Sequence, residues 1–207
     1  MFDARLRPFI DPPLNKAGAA LARLGVTANS VTLVGFGLGI GAALAVVYGQ
    51  FLAAFLLIAM NRIADGLDGA VARATRKTDL GGYLDIVLDF AFYGAIPFAF
   101  ALYDPAQNAL PAAALLLSFY ANGSAFLCYA IMAQKRGIET RAQGVKSLYY
   151  LSGIAEGTET IALFLFFCLW PAGFPVLAWA FAAICFVSAA ARIIAAAQTL
   201  KGTQSEV

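Results

Sequence analysis

Between Arg23 and Arg62 the chain carries no charged side chain, and residues 90 to 103, 105 to 134 and 160 to 191 are equally free of Asp, Glu, Lys and Arg. Runs of this length need a very large apolar core or a lipid bilayer, and a chain of 207 residues cannot build such a core. Inside a bilayer each backbone N–H and C=O must be paired within the protein, so apolar segments of this size fold as helices. The composition agrees, with 61% hydrophobic and only 13% charged residues, where a soluble domain has roughly 25% charged. Dividing the long runs at Tyr48-Gly49-Gln50 and at Pro171 to Pro175 gives six helices, at 28 to 48, 51 to 73, 81 to 103, 108 to 134, 146 to 169 and 175 to 198. Each has about the 20 residues needed to cross.

Lys and Arg favour the cytoplasmic side of a membrane. Arg5, Arg7, Lys16 and Arg23 precede the first span. Arg73, Arg76 and Lys77 lie between the second and third, Lys135, Arg136, Arg141 and Lys146 between the fourth and fifth, and Lys201 follows the sixth. The three opposite connections hold no Lys or Arg. The expected protein is therefore a multi-pass protein of the cell inner (cytoplasmic) membrane, in contact with membrane lipid and with both termini in the cytoplasm.

Residues 1 to 25 lack the basic start and short apolar core of a secretory signal. Phe2, Leu6, Phe9, Ile10, Leu14, Ala17, Leu21 and Leu24 recur at helical spacing, as in an amphipathic helix lying in the interface. Asp11-Pro12 reads as an N-cap and first-turn pair that restarts this helix. The expected fold class is an all-α membrane protein with three parts: an interfacial segment at 1–25, a six-helix transmembrane catalytic domain at 26–200, and a polar tail at 201–207.

The chain has no histidine, which excludes an imidazole base, a phosphohistidine and a His-ligated zinc. Cys128, Cys168 and Cys185 lie inside expected helices without paired spacing and read as small apolar packing residues. Gly37 and Gly41, four apart in the first span, permit close helix contact, within the bundle or between two copies. No nucleic-acid partner is expected.

The chemistry is concentrated in Asp65-Gly66-Leu67-Asp68-Gly69-Ala70-Val71-Ala72-Arg73 and, seven residues on, Gly81-Gly82-Tyr83-Leu84-Asp85-Ile86-Val87-Leu88-Asp89. Carboxylates near hydrocarbon are costly, and four together indicate function rather than packing. Asp65 and Asp68 are three apart and Asp85 and Asp89 four apart, so each pair shares a helix face. The short connection from Ala74 to Leu80 makes the two helices antiparallel neighbours in this reading, with all four carboxylates round one centre. An all-oxygen site suits magnesium or manganese, and four carboxylates are enough for two ions. Arg73, one turn beyond Gly69, is placed to pair with phosphate oxygens.

These residues resemble the signature of the CDP-alcohol phosphotransferase family: D-x2-D-G-x2-A-R, seven or eight residues, then G-x3-D-x3-D. Asp65, Asp68, Gly69, Ala72, Arg73, Gly81, Asp85 and Asp89 fill every fixed position. A further family element, P-N-x-aliphatic-T, reads Ala28-Asn29-Ser30-Val31-Thr32 here, without the proline. The resemblance implies metal-dependent transfer of a phosphatidyl-type group from a CDP-linked lipid donor to an alcohol acceptor, with release of CMP. It implies Asp65, Asp68, Asp85 and Asp89 as metal ligands and Asp89 also as the catalytic base. Gly69, Ala72, Arg73 and Gly81 would contact CDP, with Asn29 or Thr32 closing over the nucleotide, and the family implies a homodimer.

The acceptor stays open at this level. Glu156 and Glu159, three apart in the expected fifth helix, would either line a polar acceptor pocket or satisfy polar groups between helices. Lys135, Arg141 and Lys146 would bind a phosphorylated acceptor or simply orient the chain. Arg192 would recognise substrate or snorkel. Two rival classes share the intramembrane carboxylates: a transporter or cation-binding channel, and a catalytically silent scaffold. The absence of an internal repeat and the clustering of the aspartates at one end argue against the transporter.

Overall fold

In a computed structural model, residues 2–137 and 157–202 are described, and all the regular structure among them is helical. α1 spans Phe2–Arg23, α2 Ala28–Val47, α3 Phe51–Ala74, α4 Asp79–Tyr103, α5 Pro105–Lys135, α6 Gly157–Leu169 and α7 Phe174–Gly202, with a 3-10 turn at Pro171–Gly173. The helix starts follow local chemistry. Thr27 caps α2 by accepting from Ser30 N at 3.2 Å, and Asp104 caps α5 by accepting from Gln107 N at 3.2 Å. Pro105 at the first turn of α5 forgoes an N–H that would be unpaired there in any case.

α2, α4, α5 and the stretch Pro171–Lys201 are long and apolar enough to cross a membrane. α3 has the length, but it contains Arg62, Asp65, Asp68 and Arg73. The outward faces are apolar: Leu33, Val34 and Leu44 on α2, Leu117 and Ile131 on α5, and Val187, Ile193 and Ile194 on α7 are all exposed. So much apolar surface on the outside of a helical bundle fits lipid rather than water.

Inside, α4, α6 and α7 meet in an aromatic core. Phe92, Phe100, Phe164, Phe167 and Phe174 are almost wholly buried, and the Phe100 and Phe174 rings stack at 4.5 Å. Cys168 and Cys185 are buried and unpaired, as expected of packing residues, whereas Cys128 is exposed.

Two expectations are corrected by the packing. α1 runs unbroken through Asp11-Pro12, with no restart. It is held along α3, where Leu14 fits against Gly66 and Gly18 against Ala70, and such tertiary packing outweighs the local preference for a break. Secondly, α3 and α4 are not packed side by side along their length; α2 packs extensively against both. The reason lies in two buried glycines offset from the expected pair. A Cβ on Gly39 would stand 2.6 Å from the Phe92 ring of α4 and 3.3 Å from Asn61 of α3, and one on Gly35 would stand 3.0 Å from Ala64. Gly37 faces outward with nothing near it. α2 is thus a wedge whose missing side chains let both carboxylate-bearing helices close on it.

Candidate active site

α3 ends at Ala74, and four residues later Thr78 caps α4 by accepting a hydrogen bond from Gly81 N at 3.1 Å. That tight connection holds the signature halves at one end of the bundle, although α2 separates the helices farther along. Asp65 and Asp68 from α3 and Asp85 from α4 each offer a carboxylate oxygen, and these three atoms lie within 4.8 Å of one another. Oxygens coordinated to one hard divalent cation sit about 2.0 to 2.6 Å from it, so a group this compact, with oxygen donors only, fits such a cation. Asp89 stands outside this group of three. It lines the same cleft, together with Thr32, Gly35, Phe36, Asn61, Asp65, Asp68, Asp85 and Leu88.

The carboxylates are held individually. Asp68, only 7% exposed, accepts from Thr32 Oγ1 at 2.7 Å, a charge-assisted bond across the α2–α3 interface. Asp65 is ion-paired with Arg62, three residues earlier on α3. The other side of the same guanidinium lies 3.7 Å from Asp89 and donates to the Tyr93 hydroxyl at 3.3 Å. Arg62 therefore spans from α3 to α4 behind the cleft and ties one carboxylate of each helix to the same cation.

The expected nucleotide-contacting residues fall at the same end. Asn29 Oδ1 lies against Gly81, where a Cβ would be 3.0 Å away, and Thr32 reaches Asp68. Arg73 Nη1 lies over Gly69, at 3.3 Å from the place a Cβ would take. The expected acceptor residues are scattered. Lys135 is exposed at the end of α5, Glu159 is half-buried in the first turn of α6, and Arg192 is buried on α7 with its guanidinium 5.5 Å from the centre of the Phe126 ring. Arg141, Lys146 and Glu156 lie outside the described residues.

Sequence reasoning missed two residues of this site, Asn61 in the cleft and Arg62 behind it. Arg62 carried a signal, because a lone Arg halfway along an apolar span is expensive and needs an anionic partner. Asn61, 5% exposed, carried less. It lines the cleft, and its Nδ2 donates to Gly35 O at 2.9 Å, which leaves Oδ1 buried and, among the described residues, without a hydrogen-bond partner. Since the Gly35 carbonyl can only accept, the amide cannot be turned the other way.

Comparison with known proteins bears on the same residues. The CDP-alcohol phosphatidyltransferase family matches residues 25–191. The Inner membrane protein YnjF of Escherichia coli is 45% identical over 206 residues, the full length of both chains. Archaetidylinositol phosphate synthase of Pyrococcus horikoshii is 36% identical over 100 residues, which is 48% of this chain and 53% of that protein. Among solved structures, the phosphatidylinositol phosphate synthase of Mycobacterium tuberculosis with CDP-DAG bound superposes with a TM-score of 0.67 at 20% identity, covering 88% of this chain and 92% of the other, which establishes a shared fold. With every fixed position of the signature gathered at one end of the bundle, the chain belongs to the CDP-alcohol phosphatidyltransferase family, transferases of phospholipid synthesis.

Proposed function

We propose that this protein transfers a phosphatidyl group from a CDP-linked lipid such as CDP-diacylglycerol to an alcohol, with release of CMP, at the cytoplasmic face of the inner membrane. The observation that carries the reading is the meeting of Asp65, Asp68 and Asp85 from two helices within 4.8 Å, beside Asp89, on a chain that matches the family over residues 25–191. In this reading the chain crosses six times between residues 26 and 200, residues 1–25 lie in the interface, and the one-sided Lys and Arg keep the termini and the cleft cytoplasmic. Residues 201–207 form a polar tail, and the protein works as a homodimer.

Asp65, Asp68 and Asp85 would hold a divalent cation, magnesium or manganese, that supplies positive charge at the donor diphosphate and at departing CMP; with Asp89 the carboxylates suffice for two ions. The remaining work falls to side chains. Asp89 takes the proton from the acceptor hydroxyl as its oxygen bonds to the phosphatidyl phosphorus and the bond from that phosphorus to CMP breaks. Arg62, 3.7 Å away, holds Asp89 at the cleft wall. Arg73 pairs with phosphate oxygens, and Gly69 and Ala72 leave room for them. Asn29, Thr32 and Gly81 border the nucleotide.

The residues to test for acceptor binding are Lys135, Arg141, Lys146, Glu156, Glu159 and Arg192. A phosphorylated polyol is the first acceptor to test, since Arg192 is a buried cation on α7 and two of the similar proteins are named as inositol phosphate lipid synthases. The test is to incubate purified protein with CDP-diacylglycerol and a panel of polyol phosphates, amino alcohols and polyols, and to read CMP and lipid products by mass spectrometry. CMP and a new phospholipid should form with at least one acceptor, stop on chelation and return with magnesium or manganese. No CMP with any acceptor, or full turnover after rigorous metal removal, would refute the reading.

A further inference from the structure

Arg73 is exposed at the last turn of α3, where nothing in its own helix fixes the direction of a long, flexible side chain. Its direction is nevertheless set from outside. Asn15 Oδ1, on α1, accepts from both Nε and Nη2 of Arg73, at 3.1 and 2.9 Å. With that edge of the guanidinium occupied, Nη1 is left over Gly69, whose missing side chain gives it room. α1 is itself fixed at the right height. Leu14, next to Asn15, fits over Gly66, which follows Asp65, and a Cβ on Gly18 would stand 2.6 Å from the Ala70 side chain and 2.8 Å from its backbone. Three consecutive contacts along α1 therefore meet α3 from Gly66 to Arg73, the stretch that carries the first half of the signature.

We propose that Asn15 is a positioning residue for donor recognition: α1 is the outer wall of the active site, and its Asn15 amide oxygen aims the Arg73 guanidinium at the diphosphate of the CDP-linked donor. This rests on the function proposed above. An arginine held in place by a neutral acceptor keeps its full charge for the ligand, whereas a carboxylate at position 15 would compete with the phosphate. Pre-aiming removes the ordering cost from the binding step, so the benefit appears in donor affinity and not in the chemical step.

The experiment uses the full-length protein in lipid nanodiscs, with manganese present and CDP itself as the probe. Calorimetric CDP affinity, donor KM and kcat are compared for wild type, Asn15→Ala, Asn15→Asp and Asn15→Gln. Asn15→Ala should weaken CDP binding and raise donor KM by about tenfold while kcat and manganese affinity stay within about twofold. Asn15→Asp should be weaker than wild type, because its carboxylate ties Arg73 up, and Asn15→Gln should recover part of the affinity. Asn15 is exposed, so these variants disturb no packed core. Gly18→Val, which pushes α1 off α3 with Asn15 intact, should reproduce the loss of CDP affinity. If wild type binds CDP and Asn15→Ala binds it equally well, the positioning role alone is overturned. Wild-type protein that binds no CDP overturns the donor reading together with this inference.

Discussion

Replacing Arg62 with methionine tests the electrostatic design of the cleft. The side chain keeps its approximate length and apolar stem but loses the charge that now lies against Asp65 and 3.7 Å from Asp89, along with the hydrogen bond to Tyr93. At 3.7 Å and an effective dielectric of 20, one such pair is worth about 4.5 kcal/mol. With side chains 21% exposed for Arg62 and 31% for Asp89, solvent screens part of this, and losing both pairs should cost the metal-free protein about 3 kcal/mol. For a chain of this size that lowers the melting temperature by roughly 6 to 12 °C. The two carboxylates left facing each other are then neutralised best by a bound cation, so manganese should raise the melting temperature of Arg62→Met more than that of wild type. Turnover should fall by about tenfold or more, because Asp89 is no longer held, while donor KM changes little. Arg62→Lys keeps the charge without the fork and should fall between the two. The assay is thermal unfolding with and without chelator, paired with CMP release. A metal-free melting temperature within about 2 °C of wild type, or an equal manganese shift in both proteins, would refute the reasoning.

Two further outcomes follow from the geometry. Asp85→Asn should weaken manganese binding as well as turnover, whereas Asp89→Asn should bind manganese and CDP in part yet lose CMP release by about a hundredfold, and equal loss of metal in both variants would remove the distinction between holding a cation and taking a proton. In a Cys128→Ser background, cysteines placed at Lys77 and Lys135 should be shielded from an impermeant reagent in intact cells while those at Gln50 and Ala106, all exposed positions, are labelled, and the reverse pattern would overturn the cytoplasmic placement of the cleft.

Much of the architecture was legible because long apolar runs leave few options. The helix expected at 28 to 48 is α2 at Ala28–Val47, that at 51 to 73 is α3 at Phe51–Ala74, although its charges keep it from the helices apolar enough to cross, and that at 81 to 103 starts two residues earlier at Asp79, where Thr78 provides the cap. Helical periodicity pairs Asp65 with Asp68 and Asp85 with Asp89, but the compact group is Asp65, Asp68 and Asp85, with Asp89 in the same cleft outside it. The neighbour relations were not legible. Spacing along one helix says nothing of what lies across from it, so the wedge made by Gly35 and Gly39 could not be told from the outward-facing Gly37. The polar anchoring of α1 was hidden likewise, because Asn15 and Arg73 are 58 residues apart and neither is unusual alone.

The arrangement of charge suggests why a cleft with four aspartates can accept an anionic donor. Arg62 lies behind the cleft and pairs with Asp65 and Asp89, so part of the negative charge is compensated from the protein side before any ligand arrives. Asp68 is held by the neutral Thr32 hydroxyl, which fixes its position without cancelling its charge. Excess negative charge therefore remains on the three-carboxylate side, where a dication can be shared between protein and diphosphate. Asp89, one turn along α4 from Asp85, keeps a cation beside it that fixes its position, and Asn61 lines the same cleft with its Oδ1 buried and, among the described residues, without a hydrogen-bond partner. This pairing would leave the three-carboxylate group to draw in the anionic diphosphate through a shared dication, while Asp89, held beside its cation, takes the proton of a neutral hydroxyl. Four carboxylates without Arg62 would have no such division, and this is why a single arginine on α3 is expected to affect both metal affinity and turnover.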